Sequence, residues 1–417
     1  MMNARRLESV VGLLCALAPW AQATGASLPA AWQLGAPIVT YWAGPPMTDA
    51  AARQMAEGGW NLVWCRESEL DVARRHGLRA QLYDPLLRPR TLDDPARRAD
   101  LDALIERVKK HPALYAYFLR DEPNAADFPA LGRMVAYLRE RDPARLAYIN
   151  LFPTYANNRQ LGTQGETVAA YKAYLRRYLT VVKPALLSYD HYQFATRGDT
   201  PQYFLNLALI RQAALKAGIP FLNIVQACSW TPSMRVPQPD EMRYLVYTTL
   251  AYGAQGISYY VYSHRGHTGG IARADGSPTP LYHVLKTLNR EFAAIASQLQ
   301  PLRSLGVYHA GMLPPGTEPP PESLPFRLDP APKQMEYKPP RPVRGVLIGC
   351  FGPPHGSRPT HALVVNLDYR RPIVQGLRGP GPWEIFDAAS GRWKRASADR
   401  VELCLPPGGG RLARTAR

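Results

Sequence analysis

Between Ala36 and Gln300 the chain alternates two hydrophobic textures. Short apolar and aromatic runs recur at Ile38–Trp42, Leu62–Cys65, Arg79–Tyr83, Leu114–Leu119, Leu146–Leu151, Leu186–Tyr189, Phe221–Val225 and Ile257–Tyr262. Most are continuous rather than strictly alternating, the pattern of strands covered on both faces. The stretches between them carry apolar residues at three- and four-residue spacing. They predict helices over Asp49–Glu57, Glu69–His76, Leu101–Lys110, Phe128–Glu140, Val168–Val181, Tyr203–Lys216, Pro239–Tyr252 and Tyr282–Leu299. Gly77, Gly218 and Gly253 stand just past helix ends, where a left-handed cap is needed. Eight such units over about 265 residues match a (β/α)8 TIM barrel. A doubly wound sheet would want a glycine-rich anion cradle after its first strand. Trp42-Ala43-Gly44-Pro45-Pro46 stands there, and its two prolines have no N–H to offer. The predicted fold class is therefore α/β, with the barrel over 36–300.

The texture then changes. Residues 301–342 are rich in proline and predict an irregular connection. Residues 343–417 hold short β-type runs at Gly345–Phe351, Ala362–Asn366, Trp383–Phe386 and Val401–Leu405, predicting a small antiparallel β-sandwich-like domain. At the other end, Arg5 and Arg6, the apolar stretch Val10–Pro19 and Ala21-Gln22-Ala23 read as a signal peptide over 1–23. Its apolar part is about ten residues, half of what a spanning helix needs. The expectation is a secreted or periplasmic protein without membrane insertion. Cys65, Cys228, Cys350 and Cys404 fit no zinc or redox spacing; a Cys350–Cys404 bridge and plain buried thiols both remain open.

Net charge is +17, yet 41 of the 50 basic residues are arginine, scattered without a block of five or six. No nucleic-acid partner is expected from that distribution. No phosphate loop, dinucleotide fingerprint or nucleophile elbow is present. His191, His264 and His267 have no carboxylate at ligand spacing, so no metal site and no organic cofactor are expected. Oligomeric state is not legible.

In a (β/α)8 barrel the reactive groups lie at the C-terminal strand ends. The residues there are aromatic and polar in turn: Tyr41 and Trp42, then Trp64 with Glu67, then Tyr83 and Asp84. Arg120-Asp121-Glu122-Pro123 follows the fourth strand, and Asn150 and Tyr155 the fifth. Tyr189, Asp190, His191 and Tyr192 end the sixth; Gln226 and Trp230 the seventh; Tyr260, Tyr262, Ser263 and His264 the eighth. Aromatic faces stack on sugar C–H faces while amides, carboxylates and imidazoles bind hydroxyls, so a carbohydrate partner is expected. Trp42, Trp64 and Trp230 are the candidate platforms; Asp84, Asn150, Tyr189, His191, Gln226, Tyr260 and His264 are candidate polar contacts. The fourth strand runs straight into two adjacent carboxylates, an expensive arrangement unless they serve a polar site. Glu122 is the candidate proton donor, in a cup that would raise its pKa.

Asp121-Glu122-Pro123 resembles the Asn-Glu-Pro triplet that carries the acid/base glutamate after strand four in clan-A (β/α)8 glycoside hydrolases. Thr249-Leu250-Ala251-Tyr252-Gly253-Ala254-Gln255-Gly256-Ile257-Ser258-Tyr259-Tyr260-Val261-Tyr262 is similar to the passage into strand eight of family-42-like barrel glycosidases. Ile385-Phe386-Asp387 and Pro407-Gly408-Gly409-Gly410 look like the β domain appended to such barrels. The resemblance implies hydrolysis of a glycosidic bond. It also implies a nucleophilic glutamate after strand seven, and this chain has Gln226 there, an amide that cannot form a glycosyl ester. Three accounts remain. Asp190 could be the second carboxylate, as nucleophile at a separation of about 5–5.5 Å or as base at about 6.5–9.5 Å. Asp121 could orient a substrate acetamido group that attacks instead. Or the protein could bind glycan without cleaving it.

Overall fold

A computed structural model describes residues 31–396 and 399–415; the expected signal peptide over 1–23 lies outside the described residues. Eight parallel strands form one sheet: β1 (Ile38–Trp42), β2 (Leu62–Cys65), β3 (Arg79–Leu82), β4 (Leu114–Asp121), β5 (Leu146–Leu151), β6 (Leu187–His191), β7 (Phe221–Gln226) and β8 (Gly256–Tyr260). Their spatial order is β1-β8-β7-β6-β5-β4-β3-β2, so the sheet curls until its first and second strands are neighbours. Asn61 closes that seam. Its N–H donates to the Val39 carbonyl (3.0 Å), its Oδ1 accepts the Val39 N–H (3.0 Å) and its Nδ2 donates to the Pro37 carbonyl (2.9 Å). Higher up, the Trp64 indole N–H donates to the Tyr41 carbonyl at 2.8 Å. Side chains thus supply what a short β1–β2 ladder lacks.

The helices α1 (Asp49–Glu57), α2 (Leu70–Arg75), α3 (Pro95–Val108), α4 (Phe128–Arg141), α5 (Thr167–Val181), α6 (Tyr203–Ala217), α7 (Pro239–Ala251) and α8 (Pro280–Leu299) follow the strands in turn. The architecture is a (β/α)8 barrel, as the alternating textures predict. Alternation within each strand decides what faces the axis. Ile38, Leu62, Ala116, Leu146, Leu222 and Ile224 fill the interior, with Trp42, Phe118, Tyr148 and Tyr260 packed on them. The opposite faces pack against the helices in a second, larger cluster.

Boundaries differ where side-chain chemistry outweighs apolar pattern. Helix α3 starts at Pro95, well before Leu101, because Asp94 caps the Ala96 N–H at 2.9 Å. Strand β4 continues through Arg120 and Asp121 with a bulge between Phe118 and Arg120, and β6 reaches His191. Strand β8 ends at Tyr260; Tyr262 turns outward and packs against Tyr41 and Trp60.

The C-terminal region holds β9 (Arg303–Gly311), β10 (Arg327–Asp329), β11 (Gly345–Gly352), β12 (His361–Asn366), β13 (Ile373–Arg378), β14 (Trp383–Asp387), β15 (Arg392–Arg395), β16 (Arg400–Leu405) and β17 (Gly410–Thr415). The antiparallel sheets β9-β11-β12-β17-β14-β15 and β10-β13-β16 enclose a core around Phe326, Ile348, Val364, Leu377 and Trp383. Residues 301–342 are therefore not all irregular: β9 pairs with β11 along nearly its whole length. The proposed Cys350–Cys404 bridge does not form. Cys350 faces the core of one sheet while Cys404 sits on the solvent face of the other, and both are free.

The second face of the six-stranded sheet lies on the barrel. Gly349 approaches α7 so closely that a Cβ there would stand 2.3 Å from the Ala251 carbonyl oxygen. Among the described residues no helix is long and apolar enough to cross a membrane. Gly349→Ala should force the two domains apart locally and cost about 1–3 kcal/mol, the usual penalty of overpacking. Urea unfolding followed by circular dichroism will register it as a lowered midpoint.

Candidate active site

Three strand ends build the carboxyl site. The register places Asp121 of β4 opposite Asn150 of β5, and Asn150 opposite Ser188 of β6. The chain leaves β4 through Glu122, whose φ of 43° lies in the left-handed region that costs a non-glycine residue about 1 kcal/mol or more. Its surroundings hold it there. The Glu122 N–H donates to the Asn150 carbonyl (2.9 Å), and the Tyr174 hydroxyl donates to the Pro123 carbonyl (2.7 Å).

Asn150 is the hub. Its Nδ2 donates one hydrogen to Asp121 Oδ1 (3.1 Å) and the other to Asp190 Oδ1 (2.9 Å), while its Oδ1 accepts the Ser188 hydroxyl (2.9 Å). Tyr148 in turn lies 2.7 Å from Ser188 Oγ. Asp190 is buried, 2% exposed, and its Oδ2 receives no N–H or O–H donor among the described groups. It contacts the Glu122 carboxyl instead. Two carboxyls in contact cannot both ionise, so they share a proton.

No arginine, lysine or histidine forms an ion pair with Asp121, Glu122 or Asp190 among the described residues. Burial, then the Asp121 charge, pushes the Glu122 carboxyl up to about 7. Burial first, then Glu122 and Asp121, holds Asp190 well above the carboxylate range. Burial of its carboxyl raises Asp121, against the opposing help of Asn150 and Arg120, although the residue as a whole stays exposed.

Aromatic rings flank the carboxyls. Trp42 meets Trp64 (5.0 Å between centroids) and Phe118 (5.6 Å), and Phe118 meets Tyr148 (6.3 Å). Tyr192, Trp230 and Tyr260 form a second group with centroids 4.6–5.2 Å apart. Tyr260 contacts His267, which contacts the exposed His264. Asp84 is half-buried, caps the Leu86 N–H at 2.8 Å and lines a separate groove with Trp64 and Tyr83.

Three expected contacts are corrected. Tyr189 and His191 are fully buried on the helix-facing side of β6, because alternation that turns Ser188 and Asp190 inward turns their neighbours outward. His191 spends both ring nitrogens on Asn206 and Thr200, and burial lowers it to about 4, so it stays neutral. Gln226 is also fully buried. Its Oε1 accepts the Phe194 N–H (2.8 Å) and its Nε2 donates to the carbonyls of Arg235 (2.6 Å) and Phe194 (3.1 Å). Gln226 clasps two loops and has no capacity left for a sugar. Glu122 and Asp190, the two expected carboxylates, are brought together. Tyr148, Ser188 and Phe118 belong to the site and were not among the candidates; counting back by two from Asn150 and Asp190 finds the first two.

No known family profile matches the chain, and no curated protein sequence matches it. Solved structures do resemble it. α-Galactosidase I from Mortierella vinacea is 10% identical with a TM-score of 0.49, over 91% of this chain and 98% of that one. A β-galactosidase from the psychrophilic Marinomonas ef1 is 13% identical with a TM-score of 0.45, over 63% of this chain, which spans 60% of the galactosidase. Native xylanase 10B from Thermotoga maritima is 10% identical with a TM-score of 0.41, over 62% and 96%. The barrel assignment itself follows from strand order and register.

Because the Asp121 charge helps hold Glu122 up, Asp121→Asn should move the Glu122 titration below about 7. Carboxyl infrared absorption followed against pH will show the shift. The folded state binds this proton more tightly than the unfolded chain does. Its stabilising contribution is therefore complete below the ordinary glutamate range and lost as pH rises through about 7. In Asp121→Asn that loss should finish at lower pH.

Proposed function

We propose that this chain is an exported glycoside hydrolase that cleaves a glycosidic bond in an oligo- or polysaccharide, with Glu122 as the general acid. The observation carrying the reading is a carboxyl without a cationic partner, raised to about 7, at the aromatic mouth of a (β/α)8 barrel. A group with that pKa is available as a proton donor at neutral pH. Protonated Glu122 gives its proton to the glycosidic oxygen as the C1–O bond breaks, and the leaving sugar departs as an alcohol. Asp121, the exposed carboxylate of the cluster, stabilises the positive charge developing at C1 and orients the attacking oxygen. That oxygen belongs to water or, on a 2-acetamido sugar, to the substrate's own amide. Water finally adds at C1, and its proton returns to Glu122.

Asp190 acts through Glu122. Held by Asn150 and interacting with Glu122, it is a positioning residue that keeps the donor aimed and protonated. Trp42, Trp64, Trp230 and Tyr260 supply stacking faces, and His264 supplies an exposed polar contact. The second reading, a barrel that binds glycan without cleaving it, is favoured by one observation: the strand-seven position is occupied by the clasping Gln226.

Glu122→Gln should lower kcat/KM on the best-cleaved glycan by about 10²–10⁴-fold while leaving binding in place. The loss should shrink on dinitrophenyl glycosides, whose leaving group needs no proton. Undiminished turnover removes Glu122 as the acid; a wild type that binds glycans and cleaves none establishes the binding reading. Wild-type kcat should fall on the alkaline side of about pH 7, as Glu122 loses its proton.

A further inference from the structure

Beside the aromatic mouth lies a groove of about 910 Å³ over the ends of β2, β3 and β4. That is within the roughly 300–1,000 Å³ of ligand sites. Trp64, Tyr83 and Phe118 give it apolar faces, and Arg66, Arg88 and Arg90 give it charge. None of these three guanidinium groups forms an ion pair with a carboxylate among the described residues. Arg66 donates to the Tyr83 hydroxyl (2.8 Å), and half-buried Arg88 donates to the Leu119 carbonyl (2.8 Å) with its guanidinium 6.0 Å from the Phe118 ring centroid. The side chain of Arg90 is exposed and meets no hydrogen-bond or ion-pair partner among the described residues. A second cavity, of about 370 Å³, shares Arg88 and Arg90 and adds Arg120.

Three arginines outnumber the two acids that line the groove: Glu67 is engaged by Arg107 at 2.7 Å and Asp84 caps a turn. Glu69 acts on Arg66 from beside it, and Asp127 stands 3.9 Å from Arg120. Arg88 therefore feels the like charges of Arg120 and Arg90 while partly withdrawn from water. Such a cluster is unfavourable in the empty protein and becomes favourable when an anion enters it. Guanidinium groups suit planar carboxylates and sulfates, which they bind through paired N–H donors. Arg120, which lines the second cavity, adjoins Asp121 in sequence and acts on it electrostatically.

We propose that this groove is a subsite for an anionic sugar residue, its carboxylate or sulfate held by Arg66, Arg88 and Arg90 and its ring stacked on Trp64 or Phe118. The inference rests on the hydrolase reading for one point only, that the substrate is then an acidic glycan.

The test uses full-length Glu122→Gln protein and calorimetric titration with three probes: oligogalacturonate, the same oligomer fully methyl-esterified, and a carrageenan-derived oligosaccharide, whose only anionic groups are sulfates. At least one charged probe should bind ten times more tightly than the ester, and its affinity should fall steeply with salt. Which charged probe wins separates carboxylate from sulfate. Adding Arg90→Ala, a change at an exposed side chain without such partners, should weaken the charged probe at least threefold; Arg88→Ala with Arg90→Ala should weaken it at least tenfold. The inference is overturned if neither charged probe binds better than the ester, or if the double variant binds the charged probe as well as its parent. Acidic binding without wild-type turnover leaves the subsite and removes the hydrolase. Glu122-dependent cleavage of neutral glycans alone, insensitive to Arg90→Ala, does the reverse.

Discussion

Three carboxyl groups converge where the fourth, fifth and sixth strands end, and among the described residues none of them forms an ion pair. Bringing such groups together out of water costs several kcal/mol per charge unless protons or donors compensate. Two devices do so here. Asn150 divides its amide hydrogens between Asp121 and Asp190, and Glu122 and Asp190 hold a proton between them. Both devices require the register that sets Asp121 against Asn150 and Asn150 against Ser188. A one-residue slip of any of these strands would turn the group away from the axis. The barrel's ladder is thus the condition on which the chemistry depends.

The same logic explains what could be read from sequence. Continuous apolar strands and the three- and four-residue spacing of the helices report burial on both faces, and burial is what builds a barrel. Eight strand–helix units, and Glu122 at the end of the fourth, were therefore legible. Orientation was not, because a fully buried strand lacks the polar–apolar alternation that distinguishes its two faces. Tyr189 and His191 looked equivalent to Asp190 for that reason, although His191 meets Tyr203 and Asn206 on the helix side and Tyr189 is buried in the cluster between sheet and helices. Strand β9, inside a proline-rich stretch, and the arginine-rich β15 and β17 were also hidden. Their identity as strands comes from partners distant in sequence, such as β11 for β9 and β12 for β17.

Gln226 shows how a position can keep its place in the fold and exchange its task. On β7 it ends the strand where a barrel glycosidase of the resembled type would carry a carboxylate. Its amide instead joins the loops after β6 and β7 through Phe194 and Arg235. An amide suits that work because it both donates and accepts; a carboxylate would face two backbone carbonyls with no hydrogen to give. Glutamate at 226 would bury an unpaired charge and loosen both loops. The constraint on this position is architectural.

With strand seven committed to architecture, acidic chemistry is confined to the β4–β6 side of the mouth. The basic groove over β2, β3 and β4 lies on that same side, and Arg120 adjoins both. Opposite charges in neighbouring regions of one face do not cancel while each lacks a close partner. They create a gradient of potential along the opening, strongest where the walls are apolar and water is partly displaced. On the proposed function, a sugar chain laid along that gradient would have one preferred direction, with its anionic unit toward Arg88 and the bond to be broken toward Glu122. Polarity of binding would then arise from charge placement, while Trp42, Trp64 and Phe118 would provide adhesion that is indifferent to direction.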